Sequence, residues 1–398
     1  MISKTPSKIK EVLTRGVVEI ITRQSLEKKL KQGKKLRIKH GVDPTTPDLH
    51  LGHAVVYEKL RAFQELGHKI VFLIGDFTGR FGDPTERLET RALRAKKEVR
   101  ALAKGYLKQA GKILDIKKTE VRYNSEWYDK MSAEELLHLM SNFTVSQMLQ
   151  RSMFQKRLEK GKEIGLHEPV YPVLQAYDSV MLKSDLTVIG TDQIFNELQA
   201  RPLQEKFGQK PQDILAMPLL IGIDGRQKMS QSLGNHIGIT EPPSEQYGKI
   251  MSMPDSLILP YFELVTRLPL IKLKKIKQAL KKGRNPKIFK ARLAREIVSL
   301  YHGPKASQEA EKEFTRIFQK GQLPAKIKTK KIKPRSYTLP ELLVKVGLAV
   351  SRSEAKRVID QGGIRINGQR AKDWNLEISP KRGTIIQRGK RKFIKVIF

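Results

Sequence analysis

At 398 residues, with 77 Lys and Arg against 41 Asp and Glu, the chain carries a formal charge of +36, which attracts polyanions over long range and makes nucleic acid the leading partner class. It contains no cysteine, so disulfides, thiolate nucleophiles and cysteine-ligated zinc are excluded. No stretch reaches the roughly 18 apolar residues of a membrane span, and "MISKTPSKIKEVLTRG" lacks the apolar core of a secretory signal, so a cytoplasmic, membrane-free protein of roughly two or three domains is expected.

The first part of the chain alternates apolar strands with amphipathic helices, the pattern of a parallel sheet wrapped by helices. "LRIKHGV" (36–42) reads as a strand, followed by the loop "DPTTPD" and a helix through "LGHAVVYEKLRAFQEL". In that helix Val56, Leu60, Phe63 and Leu66 follow helical spacing, and Gly67 ends it. "KIVFLIGD" (69–76) is a nearly continuous apolar run, as expected of a strand covered on both faces. The loop after it, "FTGRFGDPTERLETR", lies where open α/β sheets bind ligands.

Further elements are a helix near 134–142, another through "PVLQAYDSVML", and strands at "LTVIG" (186–190) and "AMPLLIGI" (216–223). Beyond about residue 240 strand signals fade and helices dominate. "PAKIKTKKIKPRS" (324–336), with two prolines and no acidic residue, reads as an extended linker. Residues 337–398 read as a small α+β module, with a capping box at Ser351 and Glu354, a stop at Gly362 and a hairpin turn at Asn367-Gly368. The expected organisation is a Rossmann-like α/β domain over 1–234, a separate helical domain over 235–323, the basic linker and the α+β module.

"PDLHLGHAVV" places His50 and His53 three residues apart at the start of a helix. A shared metal is one reading, but no Glu lies between them and no third ligand is near in sequence. Buried packing is a second. The third is phosphate contact, because a helix N-terminus after a strand presents unpaired N–H groups and a favourable dipole, with Gly52 allowing close approach. A second stretch, "QKMSQSLGN" (227–235), follows the last apolar run on an expected loop, whereas "DKMSAEEL" carries the same triplet into a capping box and is structural. Tyr171, Gln175 and Asp178, at i, i+4 and i+7, share one helix face.

The pairing of "HLGH" with "KMSQS" resembles the HIGH and KMSKS signatures of class I aminoacyl-tRNA synthetases. "YPVLQAYDS" and "GTDQ" are similar to the bacterial-type tyrosyl-tRNA synthetase family, and "LPELLVKVGLAVSRSEAKRVIDQGGIRINGQ" resembles an S4 RNA-binding domain. The resemblance implies tyrosine activation by ATP, with magnesium accompanying that substrate and no protein-bound cofactor or metal. Transfer to tRNA(Tyr) by a homodimer would follow, with the helical domain binding the anticodon.

It implies that Asp43, Pro44, His50, Gly52, His53, Asp192, Lys228, Met229, Ser230, Gln231 and Ser232 surround ATP. Arg87 and Arg91 would join His50, His53, Lys228 and Gln231 in stabilising charge during the reaction. Lys39, Thr78, Asp83, Tyr171, Gln175, Asp178 and Gln193 would surround tyrosine, and Arg352, Lys356, Arg357 and Arg365 would meet RNA backbone.

Two positions depart from the family's pattern. Lys39 stands where many relatives have a tyrosine, so it cannot be the same phenolic donor. Gln231 stands in place of the second lysine of the KMSKS signature, keeping a donor and losing a charge.

Overall fold

The computed structural model describes residues 6–44, 47–83, 94–320, 322–324, 327–389 and 392–398. The chain divides into two compact units, 1–307 and 308–398.

The first unit is built on a six-stranded sheet of β1 (Glu19–Ile21), β2 (Arg37–Val42), β3 (Lys69–Ile74), β4 (Glu120–Tyr123), β5 (Leu186–Gly190) and β6 (Asp213–Met217). Its order is β1-β6-β5-β2-β3-β4, parallel except for the antiparallel edge pair β1–β6. β2 pairs with β3 in the register His40↔Phe72 and with β5 through Ile38↔Leu186. Chain order runs outward from β2 to β3 and β4 on one side and through β5 to β6 on the other. The β2/β5 boundary is therefore the switch point, where the connections diverge and leave a crevice beyond the strands' carboxyl ends.

β3 buries five of its six residues on both faces, which accounts for its unbroken apolar sequence. The sixth strand ends at Met217, earlier than the apolar run through Ile223 suggests. Pro218 follows directly, and with no N–H it cannot extend the ladder. The released "LLIGI" segment turns back toward the crevice.

The helices after residue 240 do not stand apart as expected. Those spanning Pro243–Ser252, Ile258–Val265 and Pro286–His302 fold within the same compact unit as the sheet. The middle one packs against both Pro286–His302 and Leu51–Glu65, with Ile258, Tyr261, Phe262 and Val265 fully buried. Their apolar side chains are covered by the first domain's helices, so the two regions share one core.

The second unit holds β7 (Lys328–Lys331), β8 (Tyr337–Thr338), β9 (Ile364–Ile366), β10 (Gln369–Arg370), β11 (Glu377–Ile378), β12 (Ile385–Arg388) and β13 (Lys392–Ile397). Its larger sheet runs β10-β9-β12-β13-β7, and its core includes Tyr337, Leu342, Leu343, Ala355, Ile359 and Ile386. Ser351 caps the helix Arg352–Asp360 by accepting from Glu354 N at 3.2 Å. Asn367 and Gly368 both take positive φ in the β9–β10 hairpin, as a type I′ turn requires.

The expected linker is corrected in part. Lys328–Lys331 form an edge strand parallel to β13, in the register Lys330↔Val396. Every side chain of that strand is exposed, so no hydrophobic alternation betrays it. Backbone pairing alone holds it, and lysines at an edge discourage further strand addition.

Candidate active site

Four strand ends deliver the site. A cavity of ≈ 590 Å³ lies at the carboxyl ends of β2, β3, β5 and β6. From β2 come Asp43 and the loop to His50, from β3 Gly75 and Thr78, from β5 Gly190, Asp192 and Gln193, and from β6 Leu220 and the segment Lys228–Ser232.

His50 and His53 cap the helix Leu51–Glu65 as a pair. His50 Nδ1 accepts from Gly52 N at 3.1 Å, and His53 Nδ1 accepts from His50 N at 3.2 Å. Both Nδ1 atoms being acceptors, the proton of each neutral ring sits on Nε2. Burial holds both imidazoles neutral, pushing His50 down to about 2 and His53 to about 4, and for His50 the neighbouring rings His53 and His236 add to the effect. The pair therefore offers neutral Nε2–H donors at a helix N-terminus rather than two cations. Gly52 is required for this arrangement, because a Cβ there would lie 2.8 Å from the His50 ring.

The second signature is stitched to the first by backbone. Leu51 N donates to Ile237 O and Ile239 N to Leu49 O, each at 2.9 Å, bracketing an antiparallel bridge between His50 and Gly238. Gln231 Nε2 donates to Asp48 O at 2.7 Å. The loop itself is shaped by buried Asn235, whose Oδ1 accepts from Ser230 N at 2.8 Å and whose Nδ2 donates to Lys228 O at 3.0 Å. Tyr261 OH donates to Ile221 O at 2.7 Å, anchoring the loop to the helical layer. Burial lowers the Lys228 ammonium below its ordinary range, opposed by the charge of Asp83.

At the other end of the cavity the helix His167–Leu182 presents Tyr171, Gln175 and Asp178. Asp43 accepts from Thr78 Oγ1 and from Tyr171 OH, both at 2.8 Å. Gly75 makes room for that carboxylate, since a Cβ there would overlap Asp43 Oδ1 and Thr78 Oγ1. Asp178 is buried and accepts from Trp127 Nε1 at 3.0 Å and from Asn124 Nδ2 at 3.4 Å. Burial raises its carboxyl to about 7 against the pull of the Lys39 charge and of hydrogen bonds from Tyr128, Asn124 and Trp127. Gln193 Nε2 donates to Asp83 Oδ2 at 2.8 Å. Burial, with Asp83 adding, raises Asp192 above the usual carboxylate range.

Residues 31–319 match the family described as tRNA synthetases class I (W and Y), and residues 319–396 match the tyrosine–tRNA ligase SYY-like C-terminal domain. The tyrosine–tRNA ligase of Moorella thermoacetica is 48% identical over 390 residues, 97% of this chain and 94% of that protein. That of Thermotoga maritima is 45% identical over 393 residues, 98% of each. The chain belongs to the tyrosyl-tRNA synthetase family. A solved structure of a C-terminally truncated mitochondrial tyrosyl-tRNA synthetase from Aspergillus nidulans shares the fold, with TM-score 0.67 and 23% identity over 79% of this chain and 95% of that one. As a tyrosyl-tRNA synthetase family member, the chain is an aminoacyl-tRNA ligase.

Most residues that the resemblance implied for ATP and tyrosine line this cavity. Pro44 does not, and Arg87 and Arg91 lie outside the described residues. Among the described residues no group of three His, Cys, Asp or Glu is placed to hold a metal, and no helix is long and apolar enough to cross a membrane.

Lys39 lines the cavity but is 1% exposed, and its ammonium is committed to protein partners. It lies 3.0 Å from Glu197 Oε1 and donates to Ser179 Oγ at 2.6 Å and Gln175 O at 3.3 Å. Glu197, Asn124 and Trp127 escape a motif reading because they reach the site through tertiary contacts. Only the placement of Glu197 four residues past "GTDQ" on a new helix hints at it.

In the second unit Arg352, Lys356, Arg357 and Arg365 are all exposed. Ala355 and Ile359 on the same helix are buried, so one face is basic and the other belongs to the core.

Proposed function

We propose that the cavity carries out the family's reaction in this chain: L-tyrosine is activated with magnesium-bound ATP, and the tyrosyl group then passes to tRNA(Tyr). The observation that carries this reading is the joining of "HLGH" and "KMSQS" at one end of a cavity whose other end bears Tyr171, Gln175 and Asp178. The tyrosine carboxylate attacks the α-phosphorus, the bond to the β-phosphate oxygen breaks, and pyrophosphate leaves. The Nε2–H groups of His50 and His53, with Lys228, donate to phosphate oxygens as charge develops, in a site preorganised by capping and backbone bridges. A ribose hydroxyl at the tRNA 3′ end then attacks the activated carbonyl and AMP departs. No protein nucleophile is needed.

Tyr171 and Gln175 would meet the substrate amino group, with Asp83 and Thr78 nearby, and Asp178 would accept the phenol O–H. Phenylalanine would leave that buried acceptor unpaired, a form of discrimination for which the tyrosyl enzymes are themselves the known example. The basic face of the second unit would hold tRNA backbone, and the helices of 235–323 would approach the anticodon. We place the enzyme in the cytoplasm as a homodimer. Exposed Leu137, Val145 and Leu166, at 66%, 72% and 93%, supply apolar area for a second copy.

The deciding experiment is pyrophosphate exchange measured with each of the twenty amino acids. Tyrosine-dependent exchange is expected, and exchange supported equally by tryptophan would overturn the assignment.

A further inference from the structure

A polar network in the cavity wall joins Lys39 and Glu197 to the pocket residues Gln175 and Gln193. Glu197, 1% exposed, receives Lys39 at 3.0 Å and Gln175 Nε2 at 2.7 Å on Oε1, and Gln212 Nε2 at 2.7 Å on Oε2. Lys39 spends its remaining donors on Gln175 O and Ser179 Oγ. Those two residues flank Asp178 on the same helix, so a single ammonium braces the turn that carries it. Asn196 Nδ2 extends the network to Gln175 Oε1 at 2.8 Å and to Gln193 Oε1 at 3.1 Å.

We infer that Lys39, paired with Glu197, is a positioning and specificity-setting residue: it fixes Gln175 and Ser179 on either side of Asp178 and lends Asp178 the positive charge that a buried acceptor of the substrate hydroxyl requires. The inference rests on the reading of Asp178 as that acceptor. A cation thereby stands where many relatives carry a phenolic donor. Burying two charges is unfavourable unless they are paired and hydrogen-bonded. Here the partners of the pair, Gln212 apart, are a pocket residue and a neighbour of Asp178.

The groups facing Asp178 are Trp127, Tyr128 and Asn124 from the 120s, Lys39 from β2, and Tyr171 from its own helix. Burial and hydrogen bonding keep the two tyrosines protonated. His40, next to Lys39 in sequence, is held neutral by burial at about 4. Lys39 is therefore the cation in this set.

The test compares Lys39→Met and the double variant Lys39→Met/Glu197→Gln with wild type, by pyrophosphate exchange with tyrosine and phenylalanine across pH 6 to 9. The double variant leaves no orphaned carboxylate and keeps the experiment decisive where the single variant unfolds. Expected is a fall of roughly tenfold or more in the tyrosine-over-phenylalanine ratio of kcat/KM. The acid limb of tyrosine kcat/KM should also move up by about one to three pH units, because an anionic Asp178 loses its neighbouring cation. Phenylalanine, which has no hydroxyl to offer, should show no such movement. Asp178→Asn is the control. If it abolishes discrimination while the folded double variant keeps the wild-type ratio and pH limb, the inference alone is overturned. Unchanged discrimination in Asp178→Asn would overturn the reading and the inference together.

Discussion

Gln231 donates its side-chain amide to the carbonyl oxygen of Asp48 across 2.7 Å, clipping the second signature loop to the loop that leads into His50. A residue that first reads as keeping a donor while losing a charge is thus also a latch between the two signature loops. Gln231→Met removes latch and donor together, and single-turnover tyrosyl-adenylate formation should slow by roughly 100- to 1000-fold, as for loss of one electrostatic donor. Gln231→Lys restores a charge and keeps a donor, so adenylate formation should be faster than wild type. No gain in that variant would show that the latch, not the charge, governs the step.

The two histidines cap their helix, and on the proposed function they also donate to phosphate; substitutions can separate these roles. Asn is a good N-cap, so His50→Asn should keep the wild-type melting temperature within a few degrees while adenylate formation falls roughly 100-fold through loss of the Nε2–H donor. His50→Ala should lose the cap as well, at a further cost of about 1 kcal/mol in stability. Denaturant titration beside single-turnover kinetics reads both effects.

Acid should destabilise the first unit through its buried imidazoles. His40 and His53 are held down to about 4 and His50 to about 2, whereas an unfolded imidazole titrates near 6.5. Between those values the unfolded state binds more protons, so stability is fully present above roughly pH 6.5 and falls as pH drops toward 4. By pH 5 each ring should contribute a loss of up to roughly 2 kcal/mol. Melting temperature measured from pH 7.5 to 5 should show the decline, and His53→Asn should make it shallower.

Gly75 is defined by what surrounds it. Gly75→Ala would drive a methyl into the Asp43 carboxylate and the Thr78 hydroxyl, breaking the bonds that orient Tyr171. Overpacking of this kind costs about 1–3 kcal/mol. Tyrosine KM should rise several-fold with it, and an unchanged KM would place Asp43 outside the binding function.

In the second unit Lys356 Nζ sits 3.8 Å from the centroid of the Trp374 ring, which is 38% exposed. Arg352→Ala/Lys356→Ala should weaken tRNA binding and lower the slope of log K against log salt by about 1.4 to 1.8, the effect of two lost phosphate contacts. Adenylate formation should be untouched. Filter binding at several salt concentrations measures the first, and pyrophosphate exchange the second.

The amino-acid sequence determined the central strands β3 and β5, because they are buried apolar runs whose composition admits little else, whereas β2 carries Arg37, Lys39 and His40 and buries two of its six residues. It also determined the helix starts written in local chemistry, such as Ser132 with Glu135 and Ser351 ahead of Arg352, since a cap depends on residues three apart. β1 and β4, three and four residues long, and the lysine edge strand β7 were not legible, because their pairing is made by backbone with distant segments. The signatures around His50 and Lys228 could be read one at a time. Only the tertiary structure decided that a bridge between His50 and Gly238 joins them, and that Lys39 pairs with Glu197. Hydrogen bonds and ion pairs between residues more than a hundred positions apart depend on where the chain returns in space, and sequence spacing does not encode that return.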